Sequence, residues 1–215
     1  MSIEIKHLTL GMVATNTYLV ADTDTNRAVL IDPVDDAERL HQWATDNDWE
    51  IALILATHAH FDHILASGQL VELTGAPFWL HEEAANRLTN LPTTGVRLTG
   101  QAFPEAATHD KLIADNEVVE LDSMRFEALY TPGHAPGHLS FYMASEGAVF
   151  SGDALFQGTI GRTDLEGGSL QLLMESITTR LIPLGDDTRV LPGHGAETTI
   201  GRERRVNPYI LQYGG

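Results

Sequence analysis

Ile51-Ala52-Leu53-Ile54-Leu55-Ala56-Thr57-His58-Ala59-His60-Phe61-Asp62-His63 joins two kinds of sequence that rarely meet so abruptly. The first six residues are continuously apolar, as a strand buried on both faces would be. Directly after them come three imidazoles and a carboxylate within six residues. Such groups are too polar to end a buried strand without partners. Their nitrogen and oxygen donors suit a divalent cation, and one loop of this kind can serve two adjacent ions. With the chain's own composition, a chance HxHxDH is roughly a 10⁻³ event.

Downstream, the same design recurs three times. Thr131-Pro132-Gly133-His134, Ser151-Gly152-Asp153 and Pro192-Gly193-His194-Gly195 each follow a short apolar run. Glycine in each lets the backbone turn sharply and come close to a ligand or ion. Taken singly, any of these residues reads more simply as a core histidine or a cap. Together, His58, His60, Asp62, His63, His134, Asp153 and His194 read as the ligands of a binuclear cluster. A structural zinc site is closed and four-coordinate, whereas seven ligands for two ions leave positions open to water and substrate.

The rest of the chain alternates short strands with helices. Strands are expected at 3–8, 17–20 and 28–31, a helix at 35–47, the strand at 51–56, a helix at 64–73 and a strand at 78–80. Residues 92–115, with scattered Gly, Pro and Thr, read as a long loop. Strands follow at 117–121, 124–130, 139–143 and 148–150. Leu170, Leu173, Met174, Ile177 and Leu181 then form one helical stripe, and 189–191 is the last strand. Residues 154–166 read as a second loop, and with 92–115 it is expected to wall the substrate pocket. Each half thus runs strands, helix, strand, which predicts two sheets with helices outside and a single domain, 1–215, without a linker.

Composition narrows the chemistry. The 215 residues contain no cysteine, which excludes disulfides, thiolate nucleophiles and Cys-based zinc or iron–sulfur sites. With 13 Lys and Arg against 30 Asp and Glu, the net charge of −17 argues against nucleic acid and anionic lipid as partners. No apolar run has the length of a signal peptide's core or a membrane span, so a soluble, cytoplasmic protein is expected rather than an exported one. GxSxG, GxGxxG and GxxxxGK[ST] are all missing, so serine hydrolase, dinucleotide and nucleotide readings lack their signals.

THAHFDH, TPGH, SGD and PGHG, in this order and across nearly the whole chain, resemble the metallo-β-lactamase superfamily. More narrowly, TPGHAPGH (131–138) and GDALFQGTIGRTDL (152–165) resemble its short glyoxalase II-like branch. The resemblance implies an α/β fold, an αββα sandwich of two mixed β-sheets flanked by helices. It implies His58, His60 and His134 on one metal, Asp62, His63 and His194 on a second, and Asp153 bridging them. The cofactor would be two divalent ions, zinc first, with iron or manganese also compatible with an all-nitrogen-and-oxygen donor set. The implied activity is hydrolysis of a small-molecule thioester such as S-lactoylglutathione by a metal-bridging hydroxide, with Asp62 orienting it or taking its proton. The C-terminal helical extension by which glyoxalase II binds glutathione is not matched in this sequence, so the thioester is supported and the glutathione carrier is not. A persulfide dioxygenase with one iron is the alternative from another class, and a lactonase of the same fold is a weaker one. Asp32 matches a family position that supports ligands by hydrogen bonding. His138 lies near enough to the motifs to do likewise. Arg162 could meet a substrate carboxylate, although an ion pair with Asp164 is the simpler reading. His7, His41, His81 and His109 lack ligand spacing.

Overall fold

The computed structural model describes residues 2–213, and its contacts gather them into two compact units. The first comprises 2–113 with 120–124, the second 114–119 with 125–213.

The first unit is built on a six-stranded sheet in chain order. Strands β1 (Ile3–Leu10), β2 (Thr15–Asp22) and β3 (Arg27–Ile31) form an antiparallel meander, with Ile3 opposite Asp22 and Leu10 opposite Thr15. Helix α1 (Ala37–Thr45) then crosses over, so that β4 (Glu50–Leu55) runs parallel to β3. Asp36 caps α1 by accepting the Arg39 N–H, and Ala37, Leu40 and Ala44 bury one stripe of it, as their spacing predicts. Leu40 packs with Leu19, Leu30, Ile54, Leu70 and Phe78 in a fully buried core.

Where one helix was expected over 64–73 there are two, α2 (Phe61–Ile64) and α3 (Ser67–Thr74). The Ala66 N–H donates to the Pro33 carbonyl, outside the helix, which breaks the ladder between them. Strand β5 (Phe78–Leu80) and the short α4 (Glu82–Ala85) follow.

The expected loop at 92–115 is corrected in its first part, which is helix α5 (Leu91–Thr99). Pro92 stands in the first turn, where its missing N–H costs nothing. Gly95 sits inside the helix because a Cβ there would lie 2.3 Å from the Phe103 amide nitrogen. Residues read as helix breakers are thus a start signal and a close approach. Strand β6 (Lys111–Leu112) completes the sheet.

The second sheet, which apart from residues 120, 121 and 124 lies in the second unit, has β7 (Val118–Leu121), β8 (Met124–Tyr130), β9 (Leu139–Met143) and β10 (Ala148–Gly152) in the order β10-β9-β8-β7. The region 154–166, expected as loop, contains a small hairpin, β11 (Leu155–Phe156) with β12 (Thr159–Ile160). Helix α6 (Leu170–Ser176) continues as a wider π turn to Leu181, and Leu173, Met174, Ile177 and Leu181 bury the expected stripe. Then β13 (Arg189–Pro192) pairs parallel to β10 and β14 (Thr198–Thr199) antiparallel to β13. Helices α7 (Ile200–Val206) and α8 (Pro208–Tyr213) close the described chain and had no counterpart in the sequence reading. Both large sheets are mixed and flanked by helices, so the expected fold class holds.

In each unit one parallel strand pair sets two carboxyl ends side by side. Asp32 follows β3 and Thr57-His58 follows β4; Asp153 follows β10 and Gly193-His194 follows β13. In open α/β sheets such strand ends are where ligands bind.

Candidate metal centre

In the first unit the four predicted ligands are gathered around one buried carboxylate. The Asp32 N–H donates to the Leu55 carbonyl, tying the end of β3 to the end of β4. Its carboxylate, 2% exposed, accepts the Thr57 N–H at 2.7 Å, the Thr57 hydroxyl at 2.9 Å and His63 Nδ1–H at 2.8 Å. The Thr57 hydroxyl has one proton. With it given to Asp32, the oxygen accepts from His58 Nδ1, 3.0 Å away. One carboxylate therefore places the proton on Nδ1 of both His58 and His63, leaving a lone pair on each Nε2. His58 Nε2 faces His60 Nδ1 at 3.1 Å, and His63 Nε2 faces Asp62 Oδ2 at 3.5 Å. The last pair brings an imidazole nitrogen and a carboxylate oxygen, both donor atoms that a cation accepts, close together. Asp62 Oδ2 also accepts the hydroxyl of the buried Thr15 at 2.8 Å.

In the second unit the other three predicted ligands converge likewise. His134 Nε2 lies 3.4 Å and His194 Nε2 3.5 Å from the same oxygen, Asp153 Oδ2. His134 Nδ1 lies 2.8 Å from the carbonyl oxygen of Arg162. A carbonyl can only accept, so Nδ1 carries a proton, and Nε2 is the nitrogen turned toward the Asp153 carboxylate. His138 is fully buried; its Nε2 accepts the Asp153 N–H at 3.0 Å and its Nδ1 donates to Thr131 at 2.9 Å. It is thus a neutral imidazole that holds the Asp153 backbone, and it has no nitrogen left for a metal.

Each donor set has the chemistry of a divalent-cation site. Metal-ligating histidines donate their other ring N–H to a carboxylate or backbone carbonyl, as His63 and His134 do here. Sequence reasoning anticipated Asp32 and His138. It missed Thr15 and the Arg162 carbonyl, the first for want of any motif, the second because a main-chain oxygen has no sequence signature.

Arg162 forms the simpler of its two expected contacts, a bidentate pair with Asp164 at 2.7 and 2.9 Å. That hydrogen bonding holds the Asp164 carboxyl at about 2 and raises the guanidinium further. His7 lies against Tyr18, and His81 caps α4 by accepting the Glu83 N–H. Among the described residues no helix is long and apolar enough to cross a membrane.

The family model described as the metallo-beta-lactamase superfamily matches residues 10–194. Hydroxyacylglutathione hydrolase GloC of Haemophilus influenzae is 40% identical over 197 residues, which cover 91% of this chain and 92% of that one. Among solved structures, the BLEG-1 B3 metallo-beta-lactamase superposes with a TM-score of 0.89 at 39% identity, over 96% of this chain and 99% of that one. TTHA1623 in a di-iron-bound form gives 0.85 at 38% identity, over 95% and 99%.

Proposed function

The chain belongs to the metallo-β-lactamase superfamily, and on that premise we propose that residues 1–215 act as one metal-dependent thioester hydrolase of the hydroxyacylglutathione hydrolase kind. The observation that carries this reading is the 40% identity to a hydroxyacylglutathione hydrolase over nearly the full length of both chains. Two donor sets whose histidines are oriented through Nδ1 and turn Nε2 toward the other candidate ligands support it.

In this proposal His58, His60 and His134 hold one divalent ion, Asp62, His63 and His194 hold another, and Asp153 is shared between them. Zinc is the proposed metal; the di-iron form of a 38% identical relative makes iron the first competitor. Bound there, the ions supply an ionised water near neutral pH and a Lewis acid for the thioester carbonyl. Asp32 keeps His58 and His63 in the tautomer that can ligate. Asp62, steadied by Thr15, orients the attacking water or takes its proton. A thiol ionises near pH 8.5, so the leaving sulfur departs without a strong general acid, and the proposal needs none. The substrate is a small-molecule thioester rather than nucleic acid or membrane, and the proposed compartment is the cytoplasm.

Metal content and turnover of S-lactoylglutathione test the reading together. The expected result is about two ions per chain and thioester cleavage, both lost in His58→Ala and Asp153→Ala. One iron per chain with oxygen uptake on glutathione persulfide would replace the hydrolase by a dioxygenase. Faster hydrolysis of β-lactams or lactones than of thioesters would move the substrate assignment instead; the 39% identical BLEG-1 B3 metallo-beta-lactamase makes the β-lactam comparison necessary.

A further inference from the structure

Glu203, in the middle of α7, is a carboxylate with no solvent exposure and no place in the reaction proposed above. Burying a charge is costly unless donors replace its water. Here Oε1 accepts from the Thr198 hydroxyl at 2.6 Å and Arg202 Nη1 at 2.7 Å. Oε2 accepts from the Gly158 N–H at 2.7 Å and Asn207 Nδ2 at 3.0 Å. Burial alone would raise the pKa of this group; these hydrogen bonds outweigh it and hold the carboxyl below its ordinary value.

What Glu203 grips is the turn of the β11–β12 hairpin. Gly158, at φ +74°, gives it the N–H, and the Asn207 amide bound to Glu203 also donates to the Thr159 carbonyl at 3.0 Å. The returning strand then runs over the metal ligands. Gly161 passes so close to Asp153 that a Cβ would lie 1.8 Å from its carbonyl oxygen and 3.1 Å from His134 Nδ1. Its neighbour Arg162 provides the carbonyl that accepts His134 Nδ1–H. The side chain of Arg162 points elsewhere, into its pair with Asp164, so only the path of the backbone aligns that carbonyl.

We propose that Glu203 is a positioning residue for the metal site, acting through the 155–162 hairpin to hold the Arg162 carbonyl on His134 and so to keep His134 Nε2 available to a metal. The inference rests on the binuclear reading above. A merely structural clamp would stabilise α7 against the hairpin and leave His134 indifferent.

The test uses the full chain stripped of metal and reloaded with Co(II). Glu203→Gln keeps size and shape but turns one acceptor into a donor, and Asn207→Ala removes the second grip on the turn. Ile200→Val, a buried apolar change at the start of the same helix, is the control for stability. The expected result is Co(II) affinity weakened about tenfold in Glu203→Gln, the size seen when a ligand's hydrogen-bond partner is lost, with an altered visible spectrum. In the metal-free protein the His134 Nδ1–H signal in nitrogen-15 spectra should shift or broaden. Ile200→Val should lower the melting temperature with Co(II) affinity and that signal unchanged. Should Glu203→Gln fail to fold, Asn207→Ala is read by the same three measurements. Variants that lower only the melting temperature, as Ile200→Val does, would overturn the role of Glu203. Wild-type protein that took up no Co(II) would overturn the functional reading itself, so the two failures are distinct.

Discussion

Replacing Asp32 by Asn should disable two of the proposed metal-ligating histidines at once without altering the shape of the site. In the wild type this carboxylate accepts three hydrogen bonds, from the Thr57 N–H, the Thr57 hydroxyl and His63 Nδ1. An asparagine can still accept the Thr57 N–H, but its NH₂ then faces the hydroxyl and the imidazole. His63 Nδ1 must become an acceptor, which moves its proton to Nε2. The Thr57 hydroxyl, no longer able to donate to residue 32, turns its proton toward His58 Nδ1 and forces the same exchange there. Each affected Nε2 then bears a hydrogen where a lone pair is needed.

Hydrogen bonds to a charged group are worth about 1 kcal/mol more than neutral ones, so weakening three should destabilise the metal-free protein by about 2–3 kcal/mol. The loss of such an outer partner costs about 10–100-fold in metal affinity, and with two ligands affected the expectation is about a hundredfold. Chelator competition measures the affinity, and urea unfolding of the stripped protein measures the stability. Thr57→Val separates the two histidines. It removes the relay to His58 but leaves the His63–Asp32 bond, and should weaken metal binding by only about tenfold. If Asp32→Asn loses stability yet binds zinc within about twofold of the wild type, tautomer control by Asp32 is refuted.

Three further outcomes are expected. Gly161→Ala puts a Cβ 1.8 Å from the Asp153 carbonyl oxygen, so the hairpin must lift from His134; the proposed thioesterase activity should fall by at least about tenfold, read as kcat/KM at a fixed concentration of the proposed metal. Gly95→Ala raises helix propensity in α5 by about 1 kcal/mol, yet should lower the melting temperature, because its Cβ would meet the Phe103 backbone at 2.3 Å; a rise would refute that packing. Arg162→Ala should return the Asp164 carboxyl from about 2 toward its ordinary 3.8, followed by NMR titration. Because the folded-state pKa is depressed, the pair contributes above pH 3.8 and its contribution is lost as pH falls toward 2. Both side chains are largely exposed, at 60% and 70%, so melting at neutral pH should hardly change.

What the sequence disclosed about this molecule follows from where its information is carried. The apolar run before His58 is legible because a strand buried on both faces cannot tolerate polar residues, and β4 runs over Glu50–Leu55, one residue earlier at each end than the expected 51–56. The ligand motifs are legible because a cation demands particular side chains at short spacing. Asp32 was readable only through the family resemblance, because an Asp at a strand end reads equally well as a cap. Helix α5 was not, since Pro92 and Gly95 have opposite local meanings according to whether they start a turn or admit a neighbour 2.3 Å away, and only the tertiary contact with Phe103 decides.

The hairpin and the two residues after it, 155–162, mark the deeper limit. Their part in the site is a main-chain carbonyl, that of Arg162, which any residue could supply. What selects the sequence there is indirect: a glycine at 161 to allow the approach to Asp153, and a buried glutamate forty-five positions from Gly158 to fix the turn. Side chains that ligate can be found by motif. The backbone groups that set their tautomers leave traces only as a glycine that nothing may replace and as a charge buried where a core residue would have been cheaper. Glu203 and Gly161 are such traces, and they lie on one path, from α7 through the hairpin to His134.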